Sequence, residues 1–413
     1  MSEAPRHAPH PFFNSARDDS LLVGTTKLTD IVSDIGRTPF YVYSRTALSA
    51  RVHELRAALP AGVQLHYAVK ANPMADVVRH MSRLVDGLDV ASAGELRIAL
   101  GADTAPEDIS FAGPGKRDEE LEAALDAGIT VNLESEQEME RLARLSGARD
   151  RRARVAIRVN PDFQLKSSGM KMGGGAQQFG VDAERVPQML ARLRALPLDF
   201  VGFHIYSGSQ NLRADAIIEA QAKSVELGIA LARDAPAPVR TLNIGGGFGI
   251  PYFPGERPLE LAPIGVSLRE RIAPLAHALP QAKLVIELGR YLVGEAGLYV
   301  CRVVDRKISR GRVFLVTDGG LHHHLAASGN FGQVLRKNYP VVVANRMRAD
   351  AREIASVVGP LCTPLDLLAD QMDLARAEVG DLIAVFQSGA YGLTASPLGF
   401  LGHPPPGEVL VSD

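Results

Sequence analysis

The sequence predicts an α/β protein: a closed (β/α)8 TIM-like barrel followed by a mostly antiparallel β domain. Three observations carry this expectation. Between residues 45 and 295, short apolar runs alternate with stretches whose apolar residues recur at helical spacing. Eight such runs can be counted, from "VQLHYAVK" (63–70) to "KLVIELG" (283–289). Beyond residue 295 the helical stretches thin out and β-rich runs follow one another across turns.

The intermediate runs are "GLDVAS" (87–92), "DISFAG" (108–113), "ITVNLES" (129–135), "RVAIRVN" (154–160), "DFVGFHIYS" (199–207) and "RTLNIGGG" (240–247). Helical spacing between them is clear in "SEQEMERLARLSG" and "AERVPQMLARLRAL". Alternation of strand and helix implies a parallel sheet, and eight strands in about 250 residues match a sheet closed on itself. An open doubly wound sheet is the alternative that the count leaves. The later runs "LYVCRVVDRKI", "GRVFLVTD", "YPVVVAN", "REIASVVG" and "DLIAVFQSGAY" read as the β domain. The N-terminal runs "SLLVGTT" and "TPFYVYS" are expected to join it. The division expected is therefore 1–44 for the N-terminal strands, 45–295 for the barrel and 296–413 for the β domain. "KSSGMKMGGGAQQFG" (166–180) reads as a mobile glycine-rich loop.

Composition excludes several classes. With 45 Lys+Arg against 47 Asp+Glu, the net charge of -2 gives no electrostatic case for nucleic acid or an anionic membrane. The start "MSEAPRHAPHPFFN" lacks the apolar stretch of a secretory signal. Charge-free runs such as "TLNIGGGFGIPYFPG" are too short and glycine-rich to span a bilayer. Cys301 and Cys362 alone cannot make a disulfide framework and suit a reducing compartment. The expectation is a soluble, cytoplasmic protein.

Barrel chemistry gathers where strands end and βα loops begin. The first such end, "LHYAVKANP" (65–73), puts Lys70 behind an apolar run and before the breaker pair Asn72-Pro73. An ammonium on a core strand is costly unless it is paired, deprotonated or covalently used. Other strand ends supply Asp89 and Ser92, Arg158 and Asn160, the aromatic cluster "HIYSGSQ" (204–210), "GGGFG" (245–249) and "ELGR" (287–290). Each is weak singly: a strand-end lysine is commonly a solvated charge, and a glycine run is commonly a tight turn. The run also fails the dinucleotide pattern G-x-G-x-x-G, because Ile250 occupies the last position, so an NAD-dependent oxidoreductase is not expected. Together they offer an anion cradle, an amine and a carboxylate, which is what pyridoxal phosphate requires.

In this order, "HYAVKANP", "GGGFG", "ELGRY", "GPLC" (359–362) and "SGAYG" (388–392) resemble the fold-type III decarboxylases of the ornithine/diaminopimelate decarboxylase family. The resemblance runs from about residue 38 to the C-terminus. It implies a lyase of amino-acid metabolism in which Lys70 forms the Schiff base with pyridoxal 5'-phosphate and Glu287 pairs with the ring nitrogen. Ser209, Gly245, Gly246, Gly247, Gly289, Arg290 and Tyr391 would hold the phosphate, and Asp89, Arg158 and His204 would complete the cofactor site. Cys362, supplied by the partner subunit of a homodimer, would be the proton donor. Thr363 and Tyr391 would face the substrate.

The departures concern substrate. Tyr206 stands where the family places a ring-stacking histidine, with His204 two residues earlier on the same strand face; Tyr206 is expected to stack. Thr363 replaces the acid that commonly follows the cysteine, and "GGLHHHLAASGNFGQVLRKNYP" lacks the "RPxLY"-like segment of diaminopimelate decarboxylases. "SGMKMGGGAQQFG" and "GPLCTPLD" look closer to the branch acting on carrier-protein-linked L-glutamyl groups and to exosortase-associated decarboxylases. The expected substrate is an α-amino acid whose far end is neutral or tethered, with loop 166–180 giving it room. "RKISRGR" (306–312) and "RRAR" (151–154) could form a basic rim for an acidic carrier. A meso-diaminopimelate decarboxylase is the runner-up. An alanine-racemase-like enzyme would set an arginine, not Glu287, against the ring nitrogen, and a non-catalytic cofactor-binding protein would need neither the β domain nor a thiol. His322, His323 and His324 invite a metal reading, but strand neighbours point to opposite faces, and no metal is expected. Cys301 is expected to be a buried strand residue.

Overall fold

Eight parallel strands close on themselves: β1 (Val63–Ala68), β2 (Gly87–Val90), β3 (Ile109–Phe111), β4 (Thr130–Leu133), β5 (Ala153–Asn160), β6 (Leu198–Ile205), β7 (Thr241–Gly246) and β8 (Lys283–Leu288). Each pairs with its sequence neighbours, β4 bonds β5, and β8 returns to β1. The computed structural model describes residues 6–13, 15–164, 170–171, 173–333 and 335–412. The mobility expected of loop 166–180 falls partly on residues outside that set.

Apolar strand residues such as Leu65, Tyr67, Val131, Ile157, Leu242 and Ile286 are fully buried. Interleaved with them are buried polar residues: His66, Asp89, Asn132, Arg158, His204, Asn243 and Glu287. Barrel interiors are ordinarily filled by branched apolar layers. Polar groups in that position must bond one another or a ligand. Helices returning between strands are capped from within the sequence: Ser92 accepts from the Glu95 amide at 3.2 Å and Ser135 from the Glu138 amide at 3.1 Å.

One irregularity sets the direction of a site residue. Phe200 pairs with Val155 and Gly202 with Ala156, so β6 carries Val201 as an extra residue. Gly202 holds φ +155°, and a Cβ there would lie inside contact distance of the Thr241 carbonyl oxygen. A one-residue bulge exchanges the faces of everything beyond it. Past the bulge His204 comes into register with Arg158.

The strand ends differ from expectation at one telling place. β1 stops at Ala68, and Val69–Ala71 form a 3₁₀ turn, so Lys70 sits on a turn with its side chain 41% exposed. Its ammonium is not an interior charge, and the argument from burial does not hold for it.

The second sheet contains β9 (Gly297–Ser309), β10 (Arg312–Thr317), β11 (Val341–Val343), β12 (Arg352–Val358), β13 (Leu367–Ala375), β14 (Leu382–Val385) and β15 (Gly407–Val411). Its order is β11-β14-β9-β10-β12-β13, and the N-terminal strand Phe40–Ser44 pairs with β9 and β15. Pairing is antiparallel except for β10 with β12 and Phe40–Ser44 with β15. Ser20–Val23 belongs to a small sheet with Ala16–Arg17 and Thr26–Lys27. Leu21 and Leu28 of that region share a core with Phe40, Leu298, Val300 and Phe386.

By contacts the chain divides into a barrel unit, Val52–Ile250 with Leu259–Gly289, and a second unit holding the residues up to Arg51, Pro251–Pro258 and those from Arg290 onward. Residues 45–51, 251–258 and 290–295, expected with the barrel, thus group with the β sheet. The buried ion pair of Arg51 with Glu295 and the hydrogen bond from Arg290 to the Tyr252 hydroxyl give the reason.

The bulge makes a stability prediction. Gly202→Ala must move β7 or unwind the bulge, at a cost of about 2 kcal/mol or more. Urea unfolding should show a lower midpoint with an unchanged slope; an unchanged midpoint would mean that the close approach to Thr241 is not rigid.

Candidate active site

The C-terminal ends of the barrel strands bring together a carboxylate, an ammonium, an imidazole and a guanidinium. Glu287, at the end of β8, is buried. Its Oε1 lies 3.8 Å from Lys70 Nζ, and its Oε2 lies 3.0 Å from His204 Nε2. The imidazole contact is close but poorly aligned, so neither His204 ring nitrogen nor Glu287 Oε2 has a directed hydrogen-bond partner. Burial would raise the Glu287 pKa. His204, Lys70 and Arg158 outweigh burial and hold the carboxyl below its ordinary value.

Tyr206, just past β6, presents its ring to Lys70, with Nζ 5.8 Å from the centroid, and meets His204 edge-on at 6.3 Å. The two residues have different surroundings: His204 faces the carboxylate and Tyr206 faces the amine. Asp89 on β2 is buried, accepts a short hydrogen bond from Ser110 Oγ and lies 3.4 Å from His66 Nδ1. Its second oxygen has no partner.

The glycine run after β7 is required sterically. Gly245 and Gly247 hold φ of +67° and +78°, with Gly246 between them outside that region. A Cβ on Gly246 would collide with the Glu287 carbonyl and Leu288, and one on Gly245 would come within 2.9 Å of the Tyr206 ring. Such alternation turns successive amides to one side, the geometry of an anion nest. The loop after β6 is tied to it: Asn211 N donates to Gly247 O at 2.9 Å, and Gly249 N to Asn211 O at 2.8 Å. On that loop the buried hydroxyl of Ser209 has no partner. Gly289 packs on the lysine turn, where a Cβ would sit 2.9 Å from Ala71 Cβ.

The remaining predicted residues belong to the second unit. Arg290 donates to the Tyr252 hydroxyl at 2.9 Å and stacks 4.7 Å from the Tyr391 ring centroid; Tyr391 holds a left-handed backbone, φ +53°. Cys362 is exposed, on the turn between β12 and β13. Asp366 braces that turn by accepting from Leu361 N at 2.8 Å and Leu321 N at 2.6 Å. Thr363 spends its hydroxyl locally, accepting from Leu365 N at 3.3 Å.

Three expectations need correction. His322, His323 and His324 lie in a turn, not a strand, so the opposite-faces argument does not apply to them. His323 bonds the Pro404 carbonyl at 3.0 Å, His324 bonds Ser388 at 2.9 Å, and the His322 ring packs on that of His323 at 3.7 Å. No metal-binding group of three or more residues occurs among the described residues. "RRAR" (151–154) leads into β5, so it sits at the N-terminal end of the barrel, away from the βα loops. There Arg154 lines a polar cavity of about 260 Å³ with Gln64, Ser110, Thr130, Thr241 and Lys283. In "RKISRGR", Arg306 and Arg312 are engaged by Glu353 at 2.6 Å and Asp370 at 3.1 Å.

Sequence reasoning overlooked Glu134, although the rule that found Lys70 applies to it. It directly follows β4, is buried, and accepts from Arg158 Nη1 at 2.6 Å, Gly113 N at 2.6 Å and Gly180 N at 2.9 Å.

A family model described as the pyridoxal binding domain of pyridoxal-dependent decarboxylases matches residues 45–294. The chain is 39% identical over 379 residues to an L-glutamyl-[BtrI acyl-carrier protein] decarboxylase of Niallia circulans, covering 90% of this chain and 88% of that one. It is 32% identical over 405 residues to a diaminopimelate decarboxylase of Aquifex aeolicus, covering 96% and 92%. In fold it resembles the diaminopimelate decarboxylase of M. jannaschii in complex with L-lysine, with a TM-score of 0.88 at 24% identity over 98% of this chain and 94% of that one. The chain belongs to the pyridoxal-dependent decarboxylases: it is a carboxy-lyase whose cofactor is pyridoxal phosphate. Among the described residues no helix is long and apolar enough to cross a membrane.

The Glu287 environment predicts a pH dependence. A carboxyl held below its ordinary value of 4.5 stabilises the fold above that value, and the contribution disappears as pH falls through the folded value. Thermal unfolding of wild type and Glu287→Gln, compared from about pH 6 to about pH 2, should show wild type losing more stability and the two curves converging at the acid end. Parallel curves would remove Glu287 from the acid response.

Proposed function

We propose that this chain decarboxylates an α-amino acid whose far end is neutral or tethered, such as a carrier-bound γ-glutamyl group. In this reading Lys70 carries the cofactor and Glu287 faces its ring nitrogen. The observation that carries it is one amine within 3.8 Å of one buried, ionised carboxylate, beside a glycine run whose amides have no Cβ in front of them.

The residues fit the cofactor. The unpartnered hydroxyl of Ser209 and the amides of Gly246 and Gly247 offer donors to a phosphate, Gly245, whose own amide donates to Asn243 Oδ1 at 2.8 Å, keeps the turn clear of a side chain, and Gly289 keeps the lysine turn and the end of β8 in contact. The described partners of Arg290 are tyrosines, which leaves its charge for an anion; phosphate contact by Arg290 and Tyr391 belongs to the proposal. Tyr206 is assigned the ring face. His204 is assigned to the carboxylate, which it holds from the side opposite Lys70. Asp89 and Arg158 complete the set.

Bound pyridoxal phosphate supplies an electron sink for the pair left on Cα when CO2 departs. Glu287, kept ionised, holds a proton at the ring nitrogen and so keeps that sink effective. Lys70, exposed on its turn rather than locked in the core, can exchange places with a substrate amine. Cys362 is the proton donor to Cα, supplied across a homodimer, and the reading places the enzyme in the cytoplasm.

Substrate choice rests on Thr363. Losing one member of a buried charge pair costs about 2–5 kcal/mol, and a threonine occupied in its own turn cannot replace a carboxylate that holds a distal ammonium. The L-glutamyl-carrier relative supports the same side. Diaminopimelate decarboxylation is the second reading, favoured by the relatives bearing that name. "RRAR", at the far end of the barrel, is not retained as a carrier rim; in "RKISRGR" the candidates are the exposed Lys307 and Arg310, since Arg306 and Arg312 are engaged.

Two measurements test this. Borohydride reduction of the holoenzyme and peptide mapping should place the pyridoxyl mass within residues 65–73; a label elsewhere sinks the assignment of Lys70. CO2 release compared across a γ-glutamyl carrier thioester, meso-diaminopimelate, lysine and ornithine should be fastest with the thioester. Efficient turnover of free diaminopimelate would overturn the argument from Thr363.

A further inference from the structure

Behind the proposed ring partner lies a second layer of buried charge. Arg158 stands in register with His204, whose Nε2 is 3.0 Å from Glu287, and the guanidinium acts on that carboxylate through space. Left alone, Arg158 would be the natural partner of Glu287: both are buried, and an arginine fork matches a carboxylate. The hydrogen bond of Arg158 goes elsewhere, to Glu134 Oε1 at 2.6 Å, while its guanidinium covers the Phe179 ring at 4.9 Å.

Glu134 is fixed independently of the arginine. Gly113 N donates to Oε1 at 2.6 Å and Gly180 N to Oε2 at 2.9 Å, so loops following β3 and β5 hold its two oxygens. Lys116 does not compete for it. That buried ammonium is spent on Glu138 Oε1 at 2.7 Å, Asn132 O at 2.9 Å and Gly113 O at 2.8 Å. Burial would raise the Glu134 pKa, but Arg158 and Lys116 outweigh it, and the carboxyl stays ionised. Each buried cation thus has its own carboxylate.

We propose that Glu134 is a positioning residue that acts through Arg158: by holding the guanidinium in a dedicated ion pair it keeps Glu287 from being neutralised, and so keeps Glu287 available to the cofactor's ring nitrogen. The inference rests on the proposed role of Glu287. It assigns no contact between Glu134 and the cofactor. The other titratable groups facing Glu287 are Lys70 and His204, and neither is altered by a change at Glu134.

The test is a double-mutant cycle on the holoenzyme, with Glu134→Gln, Arg158→Gln and the two combined, and Glu287→Gln as reference. Nitrogen NMR of ring-labelled pyridoxal phosphate reads the protonation midpoint of the ring nitrogen, and dialysis reads cofactor retention. In Glu134→Gln the released Arg158 should turn to Glu287, lowering the midpoint by about one pH unit or more and weakening retention. Removing Arg158 as well should return most of the midpoint, a rescue that loss of mere structural support would not give. Glu134→Asp, which keeps the charge, should stay near wild type and covers the case in which Glu134→Gln does not fold. A midpoint unmoved by Glu134→Gln, or a double variant showing only the sum of its parts, overturns the proposal. If Glu287→Gln itself leaves the midpoint where it was, the reading of Glu287 fails, and the inference fails with it.

Discussion

A single buried carboxylate organises the interior of this barrel. Glu287 sits at the end of β8 among Lys70, His204 and Arg158, and burial would favour its neutral form were it not for these three neighbours, which favour the carboxylate. That requirement explains features otherwise unrelated. The bulge at Gly202 turns His204 toward it, Gly246 lets the neighbouring strand approach its backbone, and Gly289 brings the lysine turn against the same strand. Each device is backbone geometry serving one charge.

Charge in a low-dielectric interior propagates, because every compensating group needs compensation of its own. Arg158 is answered by Glu134, and Lys116 by Glu138. The two carboxylates next to one another take opposite shifts. Burial dominates for Glu138 and raises it, whereas Arg158 and Lys116 prevail at Glu134 and lower it. Deeper along the axis Asp89 takes His66 and Ser110. Polar layers thus occupy the volume that branched apolar side chains fill in a purely structural barrel, and the fold gives up hydrophobic burial there in return for fixed charges.

Much of this was legible in the sequence. Strand-helix alternation has a local cause, the periodic burial of apolar residues, and so the eight strands could be counted and their ends read to within a few residues. Lys70, Glu287 and the glycine run were visible because strand ends face the chemistry of a barrel. The turn that exposes Lys70 was not visible: "YAVKAN" is apolar enough to continue as strand, and only the approach of Gly289 to Ala71 shows where the chain bends away. The histidine run was misread for a similar reason, since a turn closed by the His323 and His324 amides on the Gly320 carbonyl, with Asp366 accepting from Leu321 N, leaves no periodic trace. The partner of His204 depends on a bulge two residues upstream, which a pattern of alternating residues cannot register. Glu134 was within reach of the strand-end rule but was absorbed into the run "ITVNLES", whose strand ends at Leu133.

The same physics separates positions where a substitution is costly from positions where it is cheap. The barrel residues proposed for the cofactor lie on strand ends or on turns tied to neighbouring strands, where a substitution moves a closed sheet. Cys362 and Thr363 lie instead on a turn whose shape is set by the backbone and by Asp366. There a side chain can change its charge without disturbing the brace, because Thr363 contributes only a bond from Leu365 within its own turn. An acid or a threonine can occupy that position while Leu361, Asp366 and the strands on either side stay as they are. A change of side-chain charge on this turn therefore comes at low structural cost, whereas one within the buried charge network around Glu287 does not.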